Sequence, residues 1–451
     1  MNLRWRISVI GTMLCWLAIT SIALGGAAFI DSFEDGNLVD GSPVSWLPYA
    51  APLNGGTVVI EDGSLVISPP TSGPSELAGY WQTGTYAAGQ LYHNFSLRTQ
   101  VRGLVDTWSV VGVGGLDSEA TEGAAGSGTW TYLLISDTQQ NLRIALDAGT
   151  QSFPNLSTST PLSHLSDEIN LQFSVYDTTA AVTAWVVGTP QPDAPQLVRR
   201  LPEGLQSAEG YISLFGGNLT TTVPVAFRYV DVTPAPWEHN QIAMLPTVQY
   251  RVLDEDFDNL GDSVADSTVT DLIGEYDSDT SNMVGRVITK FNLPREAMDS
   301  RPLQSAKLRF QLITQSQPTG PISLYHNPLD NDVELQASDF EDAGYEQLVG
   351  ELVQPTDSEQ IYYEIDVTDQ ILMDLASDGD TIMSAFRLQV DGLQFVEDGT
   401  SHLARLTGPL NDAPPNLVLT FVPEPTGLGG YLCLLPMLLR RRWGVTNRST
   451  P

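Results

Sequence analysis

Ile169-Asn170-Leu171-Gln172-Phe173-Ser174-Val175 alternates apolar and polar side chains with a period of two. Successive side chains of a strand leave opposite faces, so Ile169, Leu171, Phe173 and Val175 share one face and Asn170, Gln172 and Ser174 the other. The pattern recurs upstream, where Phe95, Leu97, Thr99 and Val101 oppose Ser96, Arg98, Gln100 and Arg102. Val58 to Ile60, then Glu61-Asp62-Gly63, then Leu65 to Ile67 reads as a hairpin. Trp130 to Ile135, Ala181 to Val187, Tyr211 to Phe215 and Val225 to Val232 are further strand candidates. No run of helical period longer than two turns competes with them. Short strands at this spacing, with Gly and Pro between, predict an antiparallel β-sandwich.

The second half repeats the signature. Ala306, Leu308, Phe310 and Leu312 alternate with Lys307, Arg309 and Gln311; Ile382, Ser384, Phe386, Leu388 and Val390 alternate with Met383, Ala385 and Arg387. One short helix is expected at Asp369 to Ala376, packing Ile371, Leu372 and Leu375. Between the halves, Pro234-Ala235-Pro236 through Pro246 reads as a linker, because closely spaced prolines disfavour regular structure. The predicted fold class is all-β, with two antiparallel sandwiches or jelly rolls in tandem at residues 29–233 and 247–421. Apolar segments at 1–28 and 422–451 flank them.

Charge narrows the function. The chain of 451 residues carries 54 acidic and 21 basic residues, net −33, and its only lysines are Lys290 and Lys307. Both halves share the bias: residues 31–240 hold 21 acids and 6 bases, and residues 251–421 hold 32 and 9. Such a chain repels phosphate backbones, which require Lys and Arg to displace counterions, so no nucleic-acid partner is expected. The two cysteines, Cys15 and Cys433, lie in the apolar end segments. The body therefore has no disulfide framework and no cysteine-ligated metal.

The ends carry targeting patterns. Arg4 and Arg6 precede the uncharged apolar run Ile7 to Leu24, which closes on Gly25-Gly26-Ala27-Ala28. That is the layout of a secretory signal peptide, with cleavage expected near Ala28. At the other end Pro423-Glu424-Pro425 leads into the uncharged run Thr426 to Leu439, followed by Arg440-Arg441-Arg442. The tail resembles the PEP-CTERM sorting signal of bacteria that make exopolysaccharide. The resemblance implies an exosortase-type processing enzyme as partner and a transient membrane anchor before processing. It also implies a destination at the cell surface or in the extracellular matrix. The basic cluster suits retention on the cytoplasmic side. The apolar run departs from the pattern: its 14 residues span ~21 Å of helix against a ~30 Å hydrocarbon core, and Pro436 interrupts it.

Two further resemblances concern the body. Phe33-Glu34-Asp35-Gly36, the strand Arg98 to Arg102, and Val225-Ala226-Phe227-Arg228-Tyr229 resemble a concanavalin-like (laminin-G-like) module, whose first and last strands pair. Val287 to Leu293, Ser305 to Phe310, Ile365-Asp366-Val367-Thr368-Asp369, and Pro415 to Leu419 stand in an order that resembles a DNRLRE-type jelly roll. That domain is similar to some carbohydrate-binding modules, although the DNRLRE letters themselves are absent here.

Few residues suggest chemistry. Glu364-Ile365-Asp366-Val367 imitates the acid pairs of retaining glucanases, but the third acid's place holds Thr368, which cannot protonate a leaving group. A strand end capping a helix explains the string as well. The five histidines are scattered, and no serine sits in Gly-x-Ser-x-Gly. No catalytic residue is expected, and the chain reads as non-enzymatic. Asp254, Asp256, Asp258 and Asp262, then Asp277 and Asp279, crowd the opening of the second half. Alternating Asp can ligate calcium, foremost Asp254, Asp256 and Asp258, so structural calcium is the one candidate cofactor, a solvated acidic face being the other reading. Counted from Asp254, a calcium loop wants Gly at position six and Glu at twelve, where Asn259 and Ala265 stand. Of the tryptophans, Trp185 is expected in the core, while Trp81 and Trp108 are candidates to stack on a sugar ring. The expectation is an exported glycan-binding or adhesion protein. A polysaccharide hydrolase or lyase with its site in the first sandwich is the first alternative, and a structural surface protein that binds another protein the second.

Overall fold

The computed structural model describes residues 26–423, less 42, 49–55, 69–83, 104–108, 118–128, 137–140, 149–150, 153–167, 219–223, 267–269, 279–280, 315–317, 329–333, 335, 343, 353–359, 378–381, 393–398 and 409–413. The apolar N-terminal run expected to be a signal peptide and the tail from Glu424 onward lie outside the described residues, as do Trp81 and Trp108. The chain divides into two compact units, Met1–Pro192 with Leu201–Pro234, and Asp193–Arg200 with Ala235–Pro451. Nearly all regular structure in both is antiparallel β.

The first unit is a sandwich of two sheets. Its back sheet includes, in order, Thr179–Val186, Ile169–Tyr176, Phe95–Arg102, Val225–Thr233, Ser64–Ser68 and Thr57–Glu61. Phe29–Asp31 also pairs with Val225–Thr233, with Phe29 opposite Val232. The predicted hairpin closes through a two-residue turn, Asp62 at φ 49 and Gly63 at φ 65, with Glu61 opposite Ser64. Paired left-handed residues match the twist of the flanking strands.

The front sheet runs Gln151–Ser152, Asn141–Ala148, Thr129–Ser136, Ser109–Asp117, Tyr211–Asn218, Gly84–Ala88, Ser45–Pro48. Phe95, Leu97, Leu171 and Phe173 from the back sheet and Val113, Ile212 and Leu214 from the front are all fully buried. Phe95 and Phe173 pack edge to face at 5.5 Å. Trp46 is also fully buried, and its indole N–H donates to Asp31 Oδ2 at 2.7 Å. Burial pushes the Asp31 carboxyl up, against the hydrogen bonds from Phe33 N and Trp46.

Trp185 is buried, as expected, but not on the face that holds Leu171 and Phe173. Its register partner is Asn170, which points the other way, and the Arg98 guanidinium lies 5.7 Å from its ring centroid. The strand Ala181 to Val187 is apolar on both faces, so alternation alone could not choose between them.

Among the described residues the second unit is a twelve-stranded antiparallel sheet. Its main path runs Gln241–Met244, Asn416–Phe421, Leu303–Thr314, His402–Thr407, Thr270–Ser278, Ser281–Asn292, Met383–Val390, Ile322–Asn327, Gln347–Leu352. Val248–Asp254 pairs with Ser281–Asn292 and with Ser263–Asp266, and Gln360–Asp366 pairs with Leu303–Thr314. Phe291, Phe310, Phe386, Leu308, Leu417 and Leu419 are buried in its core.

Two expectations change here. Gln241–Met244, inside the stretch read as a linker, is a strand paired with Asn416–Phe421. Its neighbours Pro236 and Pro246 flank the ladder and remove no hydrogen bond from it. The expected helix forms at Thr368–Leu375 with Ile371 and Asp374 buried, whereas Leu372 is 46% exposed rather than packed. A second helix, Arg295–Ser300, follows Pro294.

Candidate functional site

On the front sheet of the first unit, buried Thr85, Leu214 and Val113 are register partners and face the core. The next position along each strand faces away from it. In that outer row Tyr86 is opposite Ser213, and Ser213 opposite Gly114. Gly114 is in turn opposite Trp130, and Trp130 opposite Asp147. The row beside it runs Gly84, Phe215, Gly112, Tyr132, Ala145. Tyr86 and Tyr211, both half-buried, bring their rings to 5.3 Å between centroids, tilted by 57°. Gly112 and Gly114 contribute no side chain to these rows, and both are buried, as are Ser213 and Phe215 beside them. The exposed parts of the Tyr86 and Tyr211 rings are flat apolar surfaces of the kind that stack on the ring face of a sugar.

Sequence reasoning placed its sugar-stacking candidates at Trp81 and Trp108, outside the described residues. It missed Tyr86 and Tyr211. The available signal was the alternation of glycine in Gly112-Val113-Gly114, whose meaning depends on which strands flank it.

The acidic stretch of the second unit forms a loop after the strand Val248–Asp254. Asp254, Asp256 and Asp262 each offer a carboxylate oxygen within 4.8 Å of the others. Asp258, expected in the set, is instead engaged locally: its Oδ1 accepts from Leu260 N at 2.8 Å. Asp262, named in the same acidic stretch, joins Asp254 and Asp256 because the loop folds back. Buried Asp254 organises that fold, accepting from Phe257 N at 2.6 Å and Asn259 N at 3.0 Å. Asn259 adopts φ 66, the left-handed conformation a calcium loop usually reserves for Gly at this place, and Asn tolerates it. Desolvation first, then neighbouring carboxylates, holds the Asp256 carboxyl above its ordinary range. Three oxygens converging under mutual repulsion fit a hard cation.

That loop abuts a strap. Gly261 N donates to Glu341 Oε2 at 3.1 Å, and a Cβ at Gly261 would run into the Ala337 carbonyl oxygen. Arg387, buried, reaches the carbonyls of Asp339 and Phe340 at 3.0 Å each and that of Tyr345 at 3.3 Å. Arg286 also donates to the Phe340 carbonyl, with its guanidinium 3.8 Å from the Phe340 ring centroid. Burial, with Arg387 nearby, lowers Arg286 to about 10. Terminal guanidinium nitrogens of both cations donate to backbone oxygens, and both guanidiniums lie over ring faces, a structural use of charge, while Arg387 Nε is buried without a hydrogen-bond partner.

The tempting string Glu364 to Val367 begins on the exposed strand Gln360–Asp366. Glu364 pairs with Lys307 at 2.7 Å and Arg309 at 3.4 Å. Asp366 accepts from the Thr368 amide at 2.9 Å and its hydroxyl at 2.6 Å, at the head of the helix. The two carboxylates serve an ion pair and a helix start.

No protein-family model matches the chain, and no curated protein does. Solved structures similar to it include a xylan β-1,4-xylosidase from Bacillus halodurans C-125, at 15% identity and TM-score 0.33, matching 45% of this chain and 38% of that one. A β-glucanase from Bacillus licheniformis matches at 10% identity and TM-score 0.33, over 46% of this chain and 98% of that one. The lectin I-B4 from Griffonia simplicifolia, in a metal-free form, matches at 8% identity and TM-score 0.30, over 46% and 98%. The chain thus spans well under half of the xylosidase. Likeness this distant assigns no activity. Glycoside hydrolases nonetheless predominate among these structures, and the expectation of a non-enzymatic chain is withdrawn on that finding. Among the described residues no helix is long and apolar enough to cross a membrane.

Proposed function

We propose that the chain is an exported carbohydrate-active protein, of hydrolase or lyase class, that receives a polysaccharide on the front sheet of its first unit. The observation that carries this reading is the half-buried Tyr86–Tyr211 ring pair on the outer face of that sheet. Of the acids on that sheet, Asp117 is in register with Tyr211 and Asp147 with Trp130, and these positions are the first candidates for proton transfer. The two end segments support export, processing by an exosortase-type enzyme, and residence at the cell surface or in the matrix.

The first panel is xylan, β-glucan and xyloglucan. Full-length protein is run by affinity electrophoresis in each polysaccharide, and the reaction is assayed for new reducing ends and for unsaturated ends. Retardation that disappears in Tyr86→Ala/Tyr211→Ala, with chain cleavage lost in Asp117→Asn or Asp147→Asn, is the expected result. Reducing ends alone mean hydrolysis, and unsaturated ends mean elimination. Retardation equal in the double variant, or no retardation by any polysaccharide, removes the reading.

A further inference from the structure

The exposed strand Gln360–Asp366 of the second unit pairs with Leu303–Thr314, placing Tyr362 opposite Gln311, Glu364 opposite Arg309, and Asp366 opposite Lys307. Opposite residues share a face, so all six side chains stand on one side of a two-strand platform. Tyr362 is 45% exposed, so part of its ring is open to a ligand. The Arg309 guanidinium sits 5.1 Å from its centroid and fixes one side of the ring, leaving the exposed part of the ring to solvent. Beneath, Phe310 and Tyr363 stack at 5.5 Å with planes 23° apart, so the floor is rigid.

Around the ring the polar groups are already oriented. Arg309 donates to the Pro195 carbonyl at 2.8 Å, and Lys307 lies 3.8 Å from Asp193, so Asp193 and Pro195 of the same unit border the platform. The Gln311 and Gln360 amides meet across the strands at 3.4 Å on the far side of Tyr362. Planar amides, a carboxylate and a guanidinium around an exposed ring supply both donors and acceptors at fixed positions. Each of these groups is already engaged by a neighbour, so the chemistry such a surface matches is a hydroxyl-rich ligand that stacks on the ring and bonds the remaining lone pairs and protons.

We propose that this platform is a glycan contact centred on Tyr362, taking a neutral polysaccharide strand. Charge selects the neutral class. Lys307 and Arg309 are balanced by Glu364 and Asp366, so no local excess of cation attracts a carboxylated or sulfated polymer. The chain as a whole carries −33 and repels one. The platform is independent of the front sheet of the first unit, and each can fail without the other.

The test is calorimetric titration of the full chain with neutral xylo-, cello- and manno-hexasaccharides, and with a hexauronate as the charged control. Wild type should bind at least one neutral oligosaccharide. Tyr362→Ala should weaken that binding about tenfold, while Tyr362→Phe stays near wild type, because the ring and not its hydroxyl makes the contact. The same loss must appear in the Tyr86→Ala/Tyr211→Ala background, which separates this platform from the first unit's sheet. If Tyr362→Ala melts early, Tyr362→Leu replaces it, keeping cover over the strand without a ring face. Equal affinity in the ring-deleted variant, preference for the hexauronate, or no neutral binding in the Tyr86→Ala/Tyr211→Ala background would each overturn the proposal.

Discussion

His326 Nε2 lies 2.9 Å from Asp374 Oδ2, and both side chains are fully buried. His326 comes from the strand Ile322–Asn327 and Asp374 from the helix Thr368–Leu375, so the pair staples helix to sheet. The other ring nitrogen is 2.9 Å from Gln347 Oε1, and Phe386 packs against the ring at 5.3 Å. Removing one member of such a pair strands the other without solvent. Asp374→Ala is expected to cost about 3 kcal/mol, read as a lower urea midpoint for the second unit. An unchanged midpoint would mean the helix is held by Ile371 alone.

Arg387 should matter as much, through backbone oxygens. Arg387→Ala leaves the carbonyls of Asp339, Phe340 and Tyr345 buried without this donor, at about 3 kcal/mol or more. Amide exchange in the strap from Ala337 to Tyr345 should rise sharply while the strand Ile322–Asn327 stays protected. Uniform exchange across both would place the damage in the whole unit rather than the strap.

The acidic loop makes opposite predictions with and without calcium. Asp256→Asn relieves repulsion among Asp254, Asp256 and Asp262 and should raise the melting temperature slightly in chelator. In millimolar calcium the wild type should melt higher than in chelator, and Asp254→Asn should abolish that gain by removing a ligand and the loop's organiser. No calcium-dependent rise in the wild type would reduce the cluster to a solvated acidic face.

Asp366 gives a pH prediction. The Thr368 hydroxyl, then the Thr368 amide, holds its carboxyl below the ordinary range. A depressed folded value means the stabilisation is present above the unfolded carboxylate pKa and is lost as pH falls through the folded one. Asp366→Ala should cost about 1 kcal/mol at neutral pH, and the gap to wild type should close in acid. A gap that stays constant down to the acid limit would assign the loss to packing.

Processing is expected to remove everything beyond about residue 425 in a host with the matching sorting enzyme. The strongly acidic body would be repelled by an anionic bilayer, and a 14-residue run broken by Pro436 is short for a permanent span. Neutralising Arg440, Arg441 and Arg442 should release unprocessed protein. Mass spectrometry of the surface fraction decides it, since an intact peptide ending at Pro451 would make the tail a plain anchor or no signal.

Period-two alternation at Phe95 to Arg102, Ile169 to Val175 and Ala306 to Leu312 determined the all-β class. It depends only on the pleat, which each strand carries by itself. The Asp62-Gly63 hairpin was equally local. What failed locally was the choice of face, as at Trp185 and Leu372, because a strand or helix apolar on two sides names no partner. The sites lay further out of reach. The acidic stretch was legible as a group, but only the fold of the loop brings Asp262 rather than Asp258 to Asp254 and Asp256, and Tyr86 meets Tyr211 across two strands although the two are far apart in the chain. Tyr362 becomes a platform only when Arg309 is laid beside it by the pairing of strands far apart in sequence. Local sequence sets the period of a strand; which strands become neighbours is decided by how the whole apolar surface is buried.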